Sequence, residues 1–336
     1  RDPRWGSTEE SFGEDPYLVG ELTVAFVKGL KGDNPRYWKT ASWMKHFLAN
    51  SNEDGRDSTS SNFDNRLFHE YYAYPFRKGI VDGGSQAFMA AYNAWNGTPM
   101  TIHPVFEKIR KEWGMKGIIC TDAGAVSLLV SAYKAFPNQT EAVVAVVKAG
   151  VGQFLDRYKP QVYEALANGM LTEKDIDKTI RYNYYVALRL GLLDGTQDHV
   201  PYAHIGVTDT VAPWNKKEVQ EFVRLVTAKS VVLLKNEKKL LPLDKKKIKS
   251  IAVIGPRADE VLEDWYSGTS PYAVTILQGI KNAVGPGVEV YYEPSDEIGK
   301  AVNAAQKADV AIVCIGNHVY GTDRKWKYAP VPSDGR

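Results

Sequence analysis

The run Gly117-Ile118-Ile119-Cys120-Thr121-Asp122-Ala123-Gly124-Ala125 decides how the first half of the chain is read. Its apolar stretch shows no alternation, the pattern of a strand buried on both faces as in a parallel sheet. An acid and small residues follow, and residues 127–136 read as a helix. Working outward, the same unit recurs. Residues 40–43, 86–92 and 152–155 are further short apolar strands, and residues 63–80 and 141–149 are helical. Thr172 opens a longer helix with Asp175 three residues on as a capping-box partner, ending near Leu190 before Gly191. Strand, loop and helix repeating in this way predict a parallel α/β sheet or barrel.

Residues 191–214 break the rhythm with Gly191, Asp194-Gly195, Pro201, Gly206 and Pro213, and read as a linker. A second α/β unit follows. Its expected strands are 231–234, 251–254, 288–292 and 310–315, and its helices are 218–229, 275–284 and 297–307. The organisation expected is therefore residues 1–190, a linker at 191–214, and residues 215–336. A closed (β/α)8 barrel typically needs about 250 residues, so the first unit should be a barrel lacking its N-terminal part. No internal repeat or low-complexity segment is present.

Composition excludes several classes of function. Of 336 residues, 44% are apolar and 24% charged, with a net charge of +2, ordinary for a soluble globular protein. No basic stripe points to nucleic acid. The nearest candidate, Lys245, Lys246, Lys247 and Lys249, reads as a solvated turn before a buried strand. No apolar run reaches the roughly 20 residues that span a bilayer. Cys120 and Cys314 sit in apolar runs as expected free thiols and do not decide the compartment. Asn96-Gly97-Thr98 and Asn138-Gln139-Thr140 match the glycosylation triplet, a pattern common by chance. The opening Arg1-Asp2-Pro3-Arg4-Trp5-Gly6 reads like the middle of a domain, so its silence about export says little.

In parallel α/β folds, reactive groups gather at the carboxyl ends of strands. Three strand ends carry polar groups that packing alone does not explain: Lys45 and His46, Tyr92 and Asn93, and Asp122. An acid ending a buried strand is costly unless paired, hydrogen-bonded or open to a cleft. Lys45 is expected to keep Asp122 ionised. Taken singly, His46 fits a structural histidine, Asp122 a helix cap and Tyr92 a core residue; their joint placement favours a functional cleft. Ile251-Ala252-Val253-Ile254-Gly255-Pro256 is no dinucleotide loop, because no G-x-G-x-x-G follows and Pro256 removes a backbone donor.

Several ordered motifs resemble glycoside hydrolase family 3. Arg1 to Gly6, with Glu10 and Gly13-Glu14-Asp15-Pro16, is similar to the family's RDPRWGR-x-x-E-x-x-x-E-D-P signature. Lys45-His46-Phe47 resembles its K-H-F element, and Met89-Ala90-Ala91-Tyr92-Asn93-Ala94-Trp95-Asn96-Gly97 its M-x-x-Y-N-x-x-N-G segment. Thr121-Asp122 falls at its S-D-W motif, and residues 230–256 are similar to the opening of its second domain. The resemblance implies a (β/α)8-like TIM barrel followed by an α/β sandwich, each incomplete here. It implies a retaining, exo-acting enzyme that takes β-linked oligosaccharides or aryl and alkyl glycosides, without a cofactor or metal. By position Asp122 would be the nucleophile. Lys45, His46, Tyr92, Met89 and Arg4 would contact the sugar.

Departures from the pattern qualify these expectations. Ser7 stands where the family has a sugar-binding arginine, and Ala123 where it has a tryptophan that walls the leaving-group side. Residues 326–328 could build that side instead. The acid/base glutamate has no clear equivalent. Ser333-Asp334-Gly335-Arg336 resembles the stretch that precedes it, so it is expected just past Arg336, with Asp323 or another loop acid as the alternative. A β-D-glucosidase is the leading expectation. A β-xylosidase, a phosphorylase using His318, and a degenerate carbohydrate-binding protein are the alternatives. A secreted or periplasmic setting is favoured over the cytoplasm, and oligomeric state is not legible.

Overall fold

A computed structural model of the chain describes residues 10–52, 55–263 and 270–316. They form two compact units that part between Val207 and Thr208.

The first unit begins with helix α1 (Pro16–Lys31). Asp15 caps it, accepting a 2.8 Å hydrogen bond from the Tyr17 N–H, Pro16 occupies the first turn, and Gly32 ends it at φ 75°. Strand β1 is Met44–Phe47. A small sheet is assembled from β2 (Ser60–Ser61), β4 (Ala94–Trp95) and β5 (Thr98–Pro99). The main sheet takes β3 (Ala87–Ala90) and β6 (Ile118–Cys120). Its order is β1-β3-β6, all parallel, with Phe47 opposite Ala90 and Met89 opposite Cys120. Helices α2 (Asn65–Leu67), α3 (Tyr74–Val81), α4 (Val105–Glu112), α5 (Ala125–Ser131), α6 (Gln139–Lys148), α7 (Lys159–Ala167) and α8 (Glu173–Arg189) surround it. At α8 the capping box between Thr172 and Asp175 is present.

The core is aromatic at its centre. Phe47 is fully buried and meets Phe88, Phe76, Phe106 and Trp113 with centroid separations of 4.9 to 6.4 Å. Each such side chain contributes about 2–3 kcal/mol by leaving water. The residue holding the centre of the core therefore directly follows His46.

Several expectations shift. The first strand is Met44–Phe47, not residues 40–43, so Lys45 and His46 lie within a strand; ladder pairing with β3 starts only at Met44. Residues 152–155 form no strand, only a single bridge between Gln153 and Cys120. The helix expected over 63–80 is interrupted by a π-helical turn at Phe68–Tyr72 and restarts at Tyr74. Pro75 has no N–H to continue the earlier ladder and sits where a first helical turn tolerates it. Residues 191–200, expected as linker, pack on the first unit: Val200 is buried and the centroid of the His199 ring lies 5.9 Å from that of Tyr37. Among the described residues the main sheet of the first unit has three parallel strands, an α/β arrangement smaller than a closed eight-stranded barrel.

The second unit has α9 (Lys217–Ser230), β7 (Ser250–Ile254), α10 (Ile276–Val284), β8 (Glu289–Glu293), α11 (Ile298–Ala305) and β9 (Val310–Val313). Its sheet order is β8-β7-β9, again parallel. Central β7 is buried over four of its five residues, as a near-continuous apolar run predicts. Residues 231–234 are not a strand. They have no regular secondary structure and are exposed, with no ladder partner among the described residues.

Candidate active site

β6 delivers Asp122 to the carboxyl end of the sheet. Ile118, Ile119, Cys120 and Thr121 are all buried, and Asp122 is 8% exposed. Thr121 donates its N–H to the Gln153 carbonyl at 3.0 Å, which holds the strand exit in place. The chain then turns through Ala123 and Gly124 into α5. Gly124 has φ 72°, a left-handed conformation that glycine adopts without Cβ strain. The Ala123 N–H donates to Asp122 Oδ1 at 2.8 Å.

Two neighbouring strands bring partners. From β1, His46 Nε2 lies 3.2 Å from Asp122 Oδ2, with both side chains largely buried. From the exit of β3, the Tyr92 hydroxyl donates to the Ala123 carbonyl at 2.7 Å and is also within hydrogen-bonding reach of the Asp122 carboxylate. Tyr92 has one hydroxyl proton for these two acceptors. The Arg56 guanidinium lies 5.1 Å from the centroid of the Tyr92 ring.

Burial raises the Asp122 carboxyl above the ordinary aspartate range. The Ala123 N–H, the Tyr92 hydrogen bond and the charges of Arg56 and Lys45 pull it back. The expectation that Lys45 keeps Asp122 ionised needs amending. Lys45 Nζ pairs with Glu10 at 3.2 Å, and its influence on Asp122 is outweighed by desolvation. Burial also pushes the adjacent Cys120 thiol up to about 12.

Lys45 and His46 line an open cleft of about 430 Å³ beside α1, together with Glu10, Trp43, Asn50 and Tyr72. Met89 is half-buried in β3, opposite Cys120. Asn93 is buried and works structurally, its amide donating to the Leu48 carbonyl at 3.2 Å. Thus Asp122, His46 and Tyr92 converge and Lys45 borders the same region. Arg4, Ser7, His318, Asp323, residues 326–328 and Asp334 lie outside the described residues. The peptide bonds Lys45–His46 and Phe47–Leu48 are cis. Among the described residues no group of three or more His, Cys, Asp or Glu side chains is placed to hold a metal ion, and no helix is long and apolar enough to cross a membrane.

Sequence reasoning missed three charged residues. Glu10 was visible only as part of a motif. Arg56 lies in a Gly- and Ser-rich loop with no periodic signal. Asp156 follows residues 152–155, and the strand-end rule applied there would have found it; its Oδ2 accepts the Gly124 N–H at 2.6 Å.

A parallel α/β unit thus ends a buried strand on a desolvated carboxylate, beside a histidine and a tyrosine, at the edge of the sheet where such folds gather reactive groups. The chain belongs to glycoside hydrolase family 3: residues 1–182 match the glycosyl hydrolase family 3 N terminal domain, and residues 231–329 match its C-terminal domain. It is 34% identical to a periplasmic beta-glucosidase of Salmonella typhimurium, over 94% of this chain and 46% of that protein. It is 32% identical to probable beta-D-xylosidase 7 of Arabidopsis thaliana, over 95% of this chain and 43% of that protein. Its fold superposes on a β-glucosidase from Erythrobacter marinus with a TM-score of 0.84 and 25% identity, covering 99% of this chain and 48% of the other. The chain thus spans less than half the length of these relatives.

Proposed function

We propose that this chain carries the nucleophile of a retaining, exo-acting β-glycosidase that hydrolyses non-reducing-end β-D-glucosides. The observation that carries the reading is the desolvated Asp122 carboxylate, held by the Ala123 N–H and 3.2 Å from His46. The Asp122 carboxylate attacks the anomeric carbon and the glycosidic C–O bond breaks. The leaving oxygen takes a proton from a second carboxylic acid. Water, deprotonated by that same group, then cleaves the glycosyl ester and frees Asp122. In retaining enzymes the two carboxyl groups stand about 5–5.5 Å apart. His46, Lys45, Met89 and Tyr92 would contact the bound sugar, with Arg4 joining them from the N-terminal motif. No step needs a metal or organic cofactor.

On this reading residues 1–190 are a sector of a (β/α)8-like barrel and residues 215–336 part of an α/β sandwich. The substrate is a β-linked oligosaccharide or an aryl or alkyl glycoside. A periplasmic or secreted setting accords with the description of the Salmonella relative. A β-xylosidase is the second reading, favoured by the name of the Arabidopsis relative.

The natural full-length protein tests both. Hydrolysis of an aryl β-glucoside, followed by proton NMR, should release the β-anomer first and proceed faster than that of the aryl β-xyloside. A faster xyloside moves the assignment to the second reading. Initial release of the α-anomer removes the covalent mechanism.

A further inference from the structure

The peptide group joining Ala123 to Gly124 is gripped on both edges. Tyr92, from the exit of β3, donates its hydroxyl to the Ala123 carbonyl at 2.7 Å. Asp156, from the loop before α7, accepts the Gly124 N–H at 2.6 Å. A trans peptide points its C=O and N–H in opposite directions, so the two side chains hold one plane from opposite sides. That plane follows Asp122 directly, and the Ala123 side chain is exposed and anchors nothing. Asp156 is half-buried, and its other contact is the Tyr158 hydroxyl at 3.4 Å, itself 3.1 Å from Ser127 Oγ. It pairs with no cation among the described residues.

We propose that Asp156 is a positioning residue that acts on the nucleophile through this peptide, by steering the Tyr92 hydroxyl proton onto the Ala123 carbonyl and away from the Asp122 carboxylate. An anion on an amide N–H polarises the peptide and strengthens its carbonyl as an acceptor. Tyr92 has one proton and two acceptors within reach. With the carbonyl strengthened, the proton sits there, and Asp122 keeps more of its electron density for attack on the anomeric carbon. The inference rests on Asp122 being the nucleophile, and it adds a residue that does not touch substrate.

The consequence is a coupling between Asp156 and Tyr92. Asp122 also faces Lys45 and His46 from β1, Arg56 from the following loop and Cys120 from its own strand. Of these only Cys120 also feels the Asp156 charge, and burial, the larger cause, keeps its thiol high without it. Asp156→Asn keeps an acceptor for Gly124 and removes the charge. The Tyr92 proton then turns toward Asp122 and lowers its pKa. Loss of the Asp156 charge by itself would also lower that pKa through space, so the Tyr92→Phe background separates the two routes.

The experiment is the pH dependence of kcat/KM on an aryl β-glycoside for the natural full-length protein, D156N, Y92F and the double variant, with melting temperatures alongside. D156N should move the acidic limb down by about 0.5 to 1 pH unit, the size of a redirected hydrogen bond to a charged group. Y92F should leave the limb close to its wild-type position, because the Tyr92 proton rests on the Ala123 carbonyl, and D156N added to Y92F should move it down by clearly less than D156N alone, through the charge only. Should D156N not fold, Asp156→Ser in the same pair of backgrounds reads the same coupling. An unmoved limb in D156N, or a downward shift of equal size in the Y92F background, overturns the inference while leaving Asp122 as nucleophile. Absence of hydrolysis by the wild type overturns the functional reading and this inference with it.

Discussion

Arg110 ties the base of β6 to its neighbour. It projects from α4, with Nη1 donating to the Gly117 carbonyl at 2.8 Å and Nη2 to the Gly150 carbonyl at 3.2 Å. Gly117 precedes β6, and Gly150 precedes the segment that bridges to Cys120. The guanidinium carbon lies 3.5 Å from the Tyr182 ring centroid, and burial draws its pKa down to about 10. Arg110→Met removes both hydrogen bonds. Bonds from a charged donor contribute about 1.5–3 kcal/mol each, and removing a desolvated charge offsets part of that. The net loss should be about 2–4 kcal/mol. Arg110→Lys keeps the charge but spans only one carbonyl, and should lose about 1–2 kcal/mol. Urea unfolding followed by tryptophan fluorescence measures this. With an m-value near 2–3 kcal/mol/M, the methionine variant should unfold about 1 M earlier. A midpoint within about 0.2 M of wild type would refute the view that this fork secures the strand.

Other consequences follow from the same site. Asp122 has a folded pKa raised above its unfolded value, chiefly by burial. The fold therefore binds more protons than the unfolded chain and loses stability as pH rises from the ordinary aspartate range through the raised value. Asp122→Asn should melt higher than wild type at pH 7, and the gain should vanish in acid below that range; an equal gain at both pH values would contradict the sign. Cys120 is fully buried with its thiol pushed up to about 12, so iodoacetamide at pH 8 should leave it unmodified in the native protein and label it in urea. Rapid native labelling would show that the β6 core opens. Thr172→Ala breaks a complete capping box and should cost about 1 kcal/mol, read as a Tm lowered by a few degrees.

The sequence was most legible where one physical rule acted alone. Buried parallel strands read as unbroken apolar runs, so Ile118–Cys120 and Ile251 to Ile254 stood out. The Thr172 cap was visible because its partners lie three residues apart. Strand placement was less secure near Trp43. An apolar run there stops at Met44, yet the ladder begins at Met44, because register belongs to the partner strand. Residues 231–234 carry strong strand propensity but lack a ladder partner among the described residues, which propensity does not report. The π-helical turn before Pro75 was hidden for a similar reason, since apolar spacing continued through it. Within the site, Asp122, His46 and Tyr92 were found because each sits at or beside a strand end. Glu10, Arg56 and Asp156 act through contacts between segments distant in sequence, and no local pattern marks Arg56 at all. The Lys45 expectation shows the limit of reasoning from one pair: nearness to Asp122 was inferred, while the competing acid, Glu10, was left out.

The most direct test of the account is the covalent intermediate itself. The natural full-length protein is incubated with a 2-deoxy-2-fluoro-β-glucosyl fluoride and digested, and its peptides are mapped by mass spectrometry. The account predicts a fluoroglucosyl adduct on the peptide carrying Asp122, absent in Asp122→Asn. An adduct on a different carboxylate, in a protein that hydrolyses aryl β-glucosides, would contradict it.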